Sequence, residues 1–132
     1  MSIDKFVFDG KPVAKPRMTR RDKWLNPPRP AVAQYRAFKT ELNLKAKQQK
    51  FELSEAHRVT FLVEMPKSWS KKKKLEMYGE PHRQRPDLDN YLKALWDCLL
   101  PEDSACHYVV AIKKWSDKPG IVVENFPKDL DF

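Results

Sequence analysis

Between Lys15 and Pro30 the chain sets four prolines, Pro16, Pro27, Pro28 and Pro30, among six cations: Lys15, Arg17, Arg20, Arg21, Lys23 and Arg29. Proline has no amide proton to give a helix, and it pushes the residue before it towards extended backbone. This proline density forbids a helix over residues 15–30 and predicts an extended, mobile basic loop. Trp24 and Asn26 are interleaved with the charges, so the cations do not lie on one helical face. A cationic arm carrying an aromatic able to stack on a base suits contact with nucleic acid.

On either side of the loop the pattern is regular. Phe6 and Phe8 mark a short strand ended by Asp9-Gly10, with Val13 as a candidate returning strand. Ala31, Tyr35, Phe38, Leu42 and Ala46 recur at helical spacing and predict an amphipathic helix over 31–49, with Pro30 at its first turn. Val59, Phe61, Val63 and Met65 alternate with polar residues as a strand closed by Pro66. A short helix over Lys71–Tyr78, capped by Ser68 or Ser70, carries the run Lys71–Lys74 as a solvated face. Leu88, Tyr91, Leu92, Leu95 and Leu99 form a second apolar stripe that Pro101 stops. Tyr108–Trp115 and Ile121–Phe126 read as two further strands around a turn at 117–120. The order predicts an α+β fold: a two-layer domain with a mixed β-sheet and helices on one face.

At 132 residues the chain has the length of one domain, taken as residues 1–132. Its 41% hydrophobic and 11% aromatic content can build a core, which excludes a disordered polycation. Three glycines cannot make a dinucleotide turn or a phosphate-binding loop, so no nucleotide cofactor is expected. Cys98 and Cys106 lack a paired spacing and read as reduced thiols of an intracellular, cytoplasmic protein. No apolar run has the length of a membrane span, and no signal-peptide core is seen. The net charge is +8, and residues 1–50 hold 13 basic side chains against 4 acidic ones. The default partner of such a chain is a polyanion.

The chemistry concentrates in Arg85-Pro86-Asp87-Leu88-Asp89-Asn90, which opens the second helix. Carboxylates two residues apart on extended backbone share one side and can share a divalent cation. Asp89 and Lys93 stand one helical turn apart, and Glu102-Asp103 adds carboxylates just ahead of a strand. A hard cation such as Mg²⁺ takes a few carboxylate oxygens, keeps several waters and binds substrate phosphate. Arg83, Arg85 and Lys93 supply the positive flank that a phosphodiester requires. The same residues also read as an N-cap, a favourable first-turn charge and a routine ion pair. No His/Cys set has zinc spacing. His57, His82 and His107 read as structural or exposed, Trp69 and Trp96 as packing residues, and Trp115 as core or dimer contact.

The run Arg85-Pro86-Asp87-Leu88-Asp89-Asn90-Tyr91-Leu92-Lys93-Ala94-Leu95-Trp96-Asp97 resembles the RusA family of Holliday junction resolvases, metal-dependent endonucleases of bacteria and their prophages. Pro66–Lys73 with Gly79 and Pro81 is similar to the family's approach to its acidic segment, and Lys15-Pro16-Arg17 to its basic loop. The likeness covers about residues 5–126. It implies a homodimer acting on four-way DNA junctions in recombination and repair, with an acidic metal cluster in each subunit. By position, Asp87, Asp89 and Asp103 would hold Mg²⁺, with Mn²⁺ as a substitute, and Lys93 would be the essential lysine. DNA contacts would fall to Lys15, Arg17, Arg20, Arg21 and Arg85. The chain departs from the family pattern at Leu100-Pro101-Glu102-Asp103, which has no glycine and fewer residues than usual. The third ligand that the resemblance implies would therefore be Asp103 or Glu102, with Asp103 favoured. Three alternatives are a flap or other structure-selective nuclease, a non-catalytic DNA-binding or packaging-associated module of the same fold, and a purely structural basic protein.

Overall fold

The computed structural model describes residues 4–127, apart from the side chain of Asp103. Strand β1 (Lys5–Phe8) leads through the basic loop, with a 3-10 turn at Arg20–Lys23, into helix α1 (Pro30–Gln48). Strand β2 (Ala56–Glu64), the short α2 (Lys71–Met77) and α3 (Leu88–Leu99) follow. A second 3-10 turn (Asp103–Ala105), β3 (Tyr108–Ser116) and β4 (Gly120–Asn125) complete the order. The four strands make one mixed sheet in the order β1-β4-β2-β3. β4 runs antiparallel to both of its neighbours, whereas β2 and β3 are parallel. Parallel strands need a long crossover, and the segment containing α2 and α3 provides it.

Register and helix period explain where the core lies. Phe6 faces Val123, which faces Val59; Phe8 faces Ile121, which faces Phe61. These six side chains are buried on one side of the sheet. α1 lays Val32, Tyr35, Phe38, Leu42 and Ala46 towards the interior, a stripe of threes and fours. α3 adds Tyr91, Leu92, Ala94 and Leu95. Aromatic pairs join the layers: Phe8 meets Phe38 edge-on at 5.6 Å, and Phe61 stacks on Tyr91 at 5.1 Å. The α+β class and the mixed sheet are those that the sequence predicts.

Three local features depart from expectation. Val13 starts no strand; residues 11–19 are irregular, and Val13 packs against the core from that loop. The short α2, capped by Ser70 and closed by Gly79 at φ 79°, buries none of its residues and takes no part in the helical layer. Residues 79–82 instead run along the outer edge of β3: Gly79 N–H donates to Trp115 O, Trp115 N–H to Glu80 O and His82 N–H to Lys113 O. The loop at 15–30 is folded rather than extended, as its hydrogen bonds show below.

Candidate active site and nucleic-acid interface

Asp87 occupies the N-cap position of α3 in extended backbone (φ −66°, ψ 148°), yet its side chain accepts no capping hydrogen bond. An N-cap aspartate ordinarily spends its carboxylate on the amides of the first turn. Here the carboxylate is exposed and makes no ion pair among the described residues. Asp89 lies inside the first turn of the helix, as its reading as a first-turn charge has it, and does not share the extended backbone of Asp87. Its carboxylate is 3.5 Å from Lys93 Nζ, and both side chains are well exposed. The helix dipole favours both negative charges at this end.

The turn that presents these carboxylates is held from below. In the sheet register Lys113 of β3 pairs with Phe61 of β2, so its side chain rises on the helix-covered face beside Phe61. Its ammonium donates to Gln84 O at 2.6 Å and Pro86 O at 2.8 Å, the carbonyls just ahead of Asp87. Sequence reasoning missed this lysine. The available signal was period two: Val109, Ala111, Lys113 and Trp115 share a face that is otherwise apolar.

A second brace joins α3 to the basic loop and α1. Lys15 N–H donates to Asn90 O at 3.1 Å, and Lys15 Nζ stands 3.8 Å from the Asp97 carboxylate. Asp97 also accepts from the Tyr35 hydroxyl at 2.5 Å and from Lys39 Nζ at 3.1 Å. The Tyr35 hydrogen bond, with the two lysines, holds the Asp97 carboxyl below its ordinary range. Burial, reinforced by Asp97, pushes the Tyr35 phenol up. Next to it, burial pushes the Cys98 thiol up to about 11, away from the thiolate form.

The third carboxylate is less simply placed. Asp103 opens the 3-10 turn between the end of α3 and the start of β3, the end of the helix opposite Asp87. Its side chain lies outside the described residues. Glu102 is committed to that turn, since its Oε1 accepts from Ser104 N–H and Oγ, which lowers its pKa. Among the described residues no group of three His, Cys, Asp or Glu side chains could hold a metal ion. The pair that is described still suits a hard cation. Asp87 and Asp89 offer exposed carboxylate oxygens, one set of them unused, with space for the waters that Mg²⁺ retains.

The basic loop is closed by a buried carboxylate. Asp22, only 2% exposed, takes Arg29 in a two-pronged pair, Nε to Oδ1 at 2.8 Å and Nη2 to Oδ2 at 2.9 Å. Thr19 donates to it from both its amide (2.7 Å) and its hydroxyl (3.1 Å). Arg29 Nη2 also reaches Arg17 O at 2.9 Å, and Arg29 itself precedes α1. The Arg29 guanidinium, with Thr19, holds the Asp22 carboxyl far below the carboxylate range. Prolines at 27, 28 and 30 do forbid a long helix, but a single 3-10 turn fits before them. That turn turns Arg20, Arg21, Lys23 and Trp24 out to solvent, and Arg17 and Arg85 are exposed as well.

Two of the histidines are structural, and His107 is exposed ahead of β3. His57, fully buried, donates from Nδ1 to Ser54 O and accepts Trp96 Nε1–H at Nε2, both at 2.9 Å. Burial lowers its pKa and keeps it neutral. His82 is buried against Trp115 with ring centres 4.4 Å apart, and Trp115 is core.

A search of curated proteins finds no match. The profile of the family described as Endodeoxyribonuclease RusA matches residues 9–124. That span runs from the turn after β1 into β4 and encloses the folded arm, the aspartates of α3, Lys93 and Lys113. The chain therefore belongs to the RusA endodeoxyribonuclease family.

Proposed function

We propose that this protein is a metal-dependent endodeoxyribonuclease that resolves four-way DNA junctions by phosphodiester hydrolysis. The observation that carries this reading is the unused Asp87 carboxylate beside Asp89 at the mouth of α3, with Lys93 one turn away. Residues 1–132 act as one domain, and two copies form the working unit, because a two-fold dimer offers two sites to a four-armed substrate. The family resemblance and the reduced cysteines favour a role in recombination and repair in the bacterial or prophage-bearing cytoplasm.

Asp87 and Asp89 hold Mg²⁺ or Mn²⁺ in this reading, and Asp103 is the third carboxylate. When bound, the cation supplies the Lewis acidity for attack of water on phosphorus and departure of the leaving oxygen. Lys93 is tied only to Asp89 among the described residues. With Asp89 holding a cation, the Lys93 ammonium would be free to meet negative charge on the phosphate oxygens. Arg85, exposed ahead of Asp87, clamps a neighbouring phosphate. Arg17, Arg20 and Arg21 hold the DNA backbone farther out, and Lys15, paired with Asp97, ties that contact to α3.

The test is cleavage of a four-way junction, a flap and a linear duplex with and without Mg²⁺. Junction cutting that requires the metal is expected. D89N should cut at least about 100-fold more slowly while keeping its junction affinity. Equal cutting of linear duplex, or full activity in D89N, overturns the reading.

A further inference from the structure

Trp24 is 84% exposed, more than any other large apolar side chain among the described residues. An indole left in water forfeits the burial that usually accounts for its presence. Its mounting is nevertheless firm. Trp24 N–H donates to Arg21 O at 3.0 Å, closing the turn whose buried Asp22 is gripped by Arg29 and Thr19. Arg20, Arg21 and Lys23 surround it on the same turn, and none has a carboxylate within ion-pair distance among the described residues. An exposed flat apolar face, carried on a braced backbone turn beside cations that make no ion pair among the described residues, complements a ligand with a flat apolar face and an anionic backbone. That ligand is a nucleobase in a DNA strand.

Inside a duplex both faces of each base are covered by neighbours, so a side chain has nothing to stack on. Base faces become available where stacking is interrupted, as at the point where arms of a branched molecule meet. We propose that Trp24 stacks on a base uncovered at the branch point, and that this contact distinguishes branched from linear DNA. The inference rests on the nuclease reading above and deepens it: the aspartates cut, and the indole on the arm selects. Linear duplex still binds through Arg20, Arg21 and Lys23, without the stacking contribution.

The experiment compares wild type, W24A and W24F on an immobile four-way junction and a linear duplex of equal length, with 2-aminopurine placed at the branch. Wild type and W24F should quench the 2-aminopurine and prefer the junction. W24A should lose the quenching and bind the junction about ten-fold more weakly, with duplex affinity and melting temperature unchanged. W24A that binds and cuts the junction like wild type overturns the role of Trp24 and leaves the nuclease reading intact. Wild type that binds both DNAs alike overturns the inference and junction selectivity together. Loss of 2-aminopurine quenching in W24A without any loss of junction preference overturns Trp24 as the selector.

Discussion

Lys113 is a cation planted on the apolar side of a sheet, beneath a turn that carries two negative charges. Its two bonds to Gln84 O and Pro86 O fix the backbone from which Asp87 departs. Small displacements of reacting groups are costly, about 100-fold for roughly an ångström. K113M should therefore slow junction cleavage about 10- to 100-fold with junction affinity unchanged, and K113R should restore part of the rate. A K113M enzyme as fast as wild type, measured under single turnover, would show that the turn holds its shape unaided. Asp87, Asp89 and Lys93 were legible because their relation is local: a spacing of two and a spacing of four mean the same wherever the helix docks. Lys113 became significant only when its pairing with Phe61 set which way it points, and that pairing joins residues 52 positions apart. Asp97 was legible as a position but not as a hub, because Tyr35, Lys39 and Lys15 reach it from other elements.

Helices α1 and α3 and strands β1 and β2 follow their hydrophobic periods: α1 and α3 end where proline or the loss of the stripe ends them. The arm does not follow its composition. Proline statistics describe an isolated segment, whereas Asp22 and Arg29, seven residues apart, close this one into a loop with a fixed outer face. Removing either partner should loosen the arm without melting the domain. D22N should speed trypsin cleavage after Arg20, Arg21 or Lys23 and weaken junction binding. R29K should behave alike, because an ammonium cannot reproduce the two-pronged bond or also reach Arg17 O. Limited proteolysis beside a melting curve checks this; unchanged cleavage of both variants would mean that the turn stands without the pair.

Across the whole molecule the sequence-level excess of positive charge is redistributed by pairing. Arg29 is spent on Asp22, and Lys15 and Lys39 on Asp97, so the unpaired charge of the first fifty residues is concentrated on the outer face of the arm and on α1. The fold also carries a pH dependence of its own. His57 is held neutral in the core by burial, so its folded pKa lies below the ordinary 6.5. The unfolded chain thus binds a proton that the folded chain refuses, and stability falls as pH drops below about 6.5. Burial lowers His82 in the same direction. Chemical denaturation at pH 7.5 and 5.5 should show this loss, and H57Q should show a smaller one. An unchanged pH slope in H57Q would exclude His57 as a source.

The sheet order has a further consequence, for the timing of synthesis. β1 pairs only with β4, which is translated more than a hundred residues later. On the ribosome Phe6 and Phe8 wait without their strand partners Val123 and Ile121, while the basic arm that follows them has already been made. A nascent chain can expose its cations to nucleic acid before its sheet closes, but it cannot have its sheet complete before β4 is made.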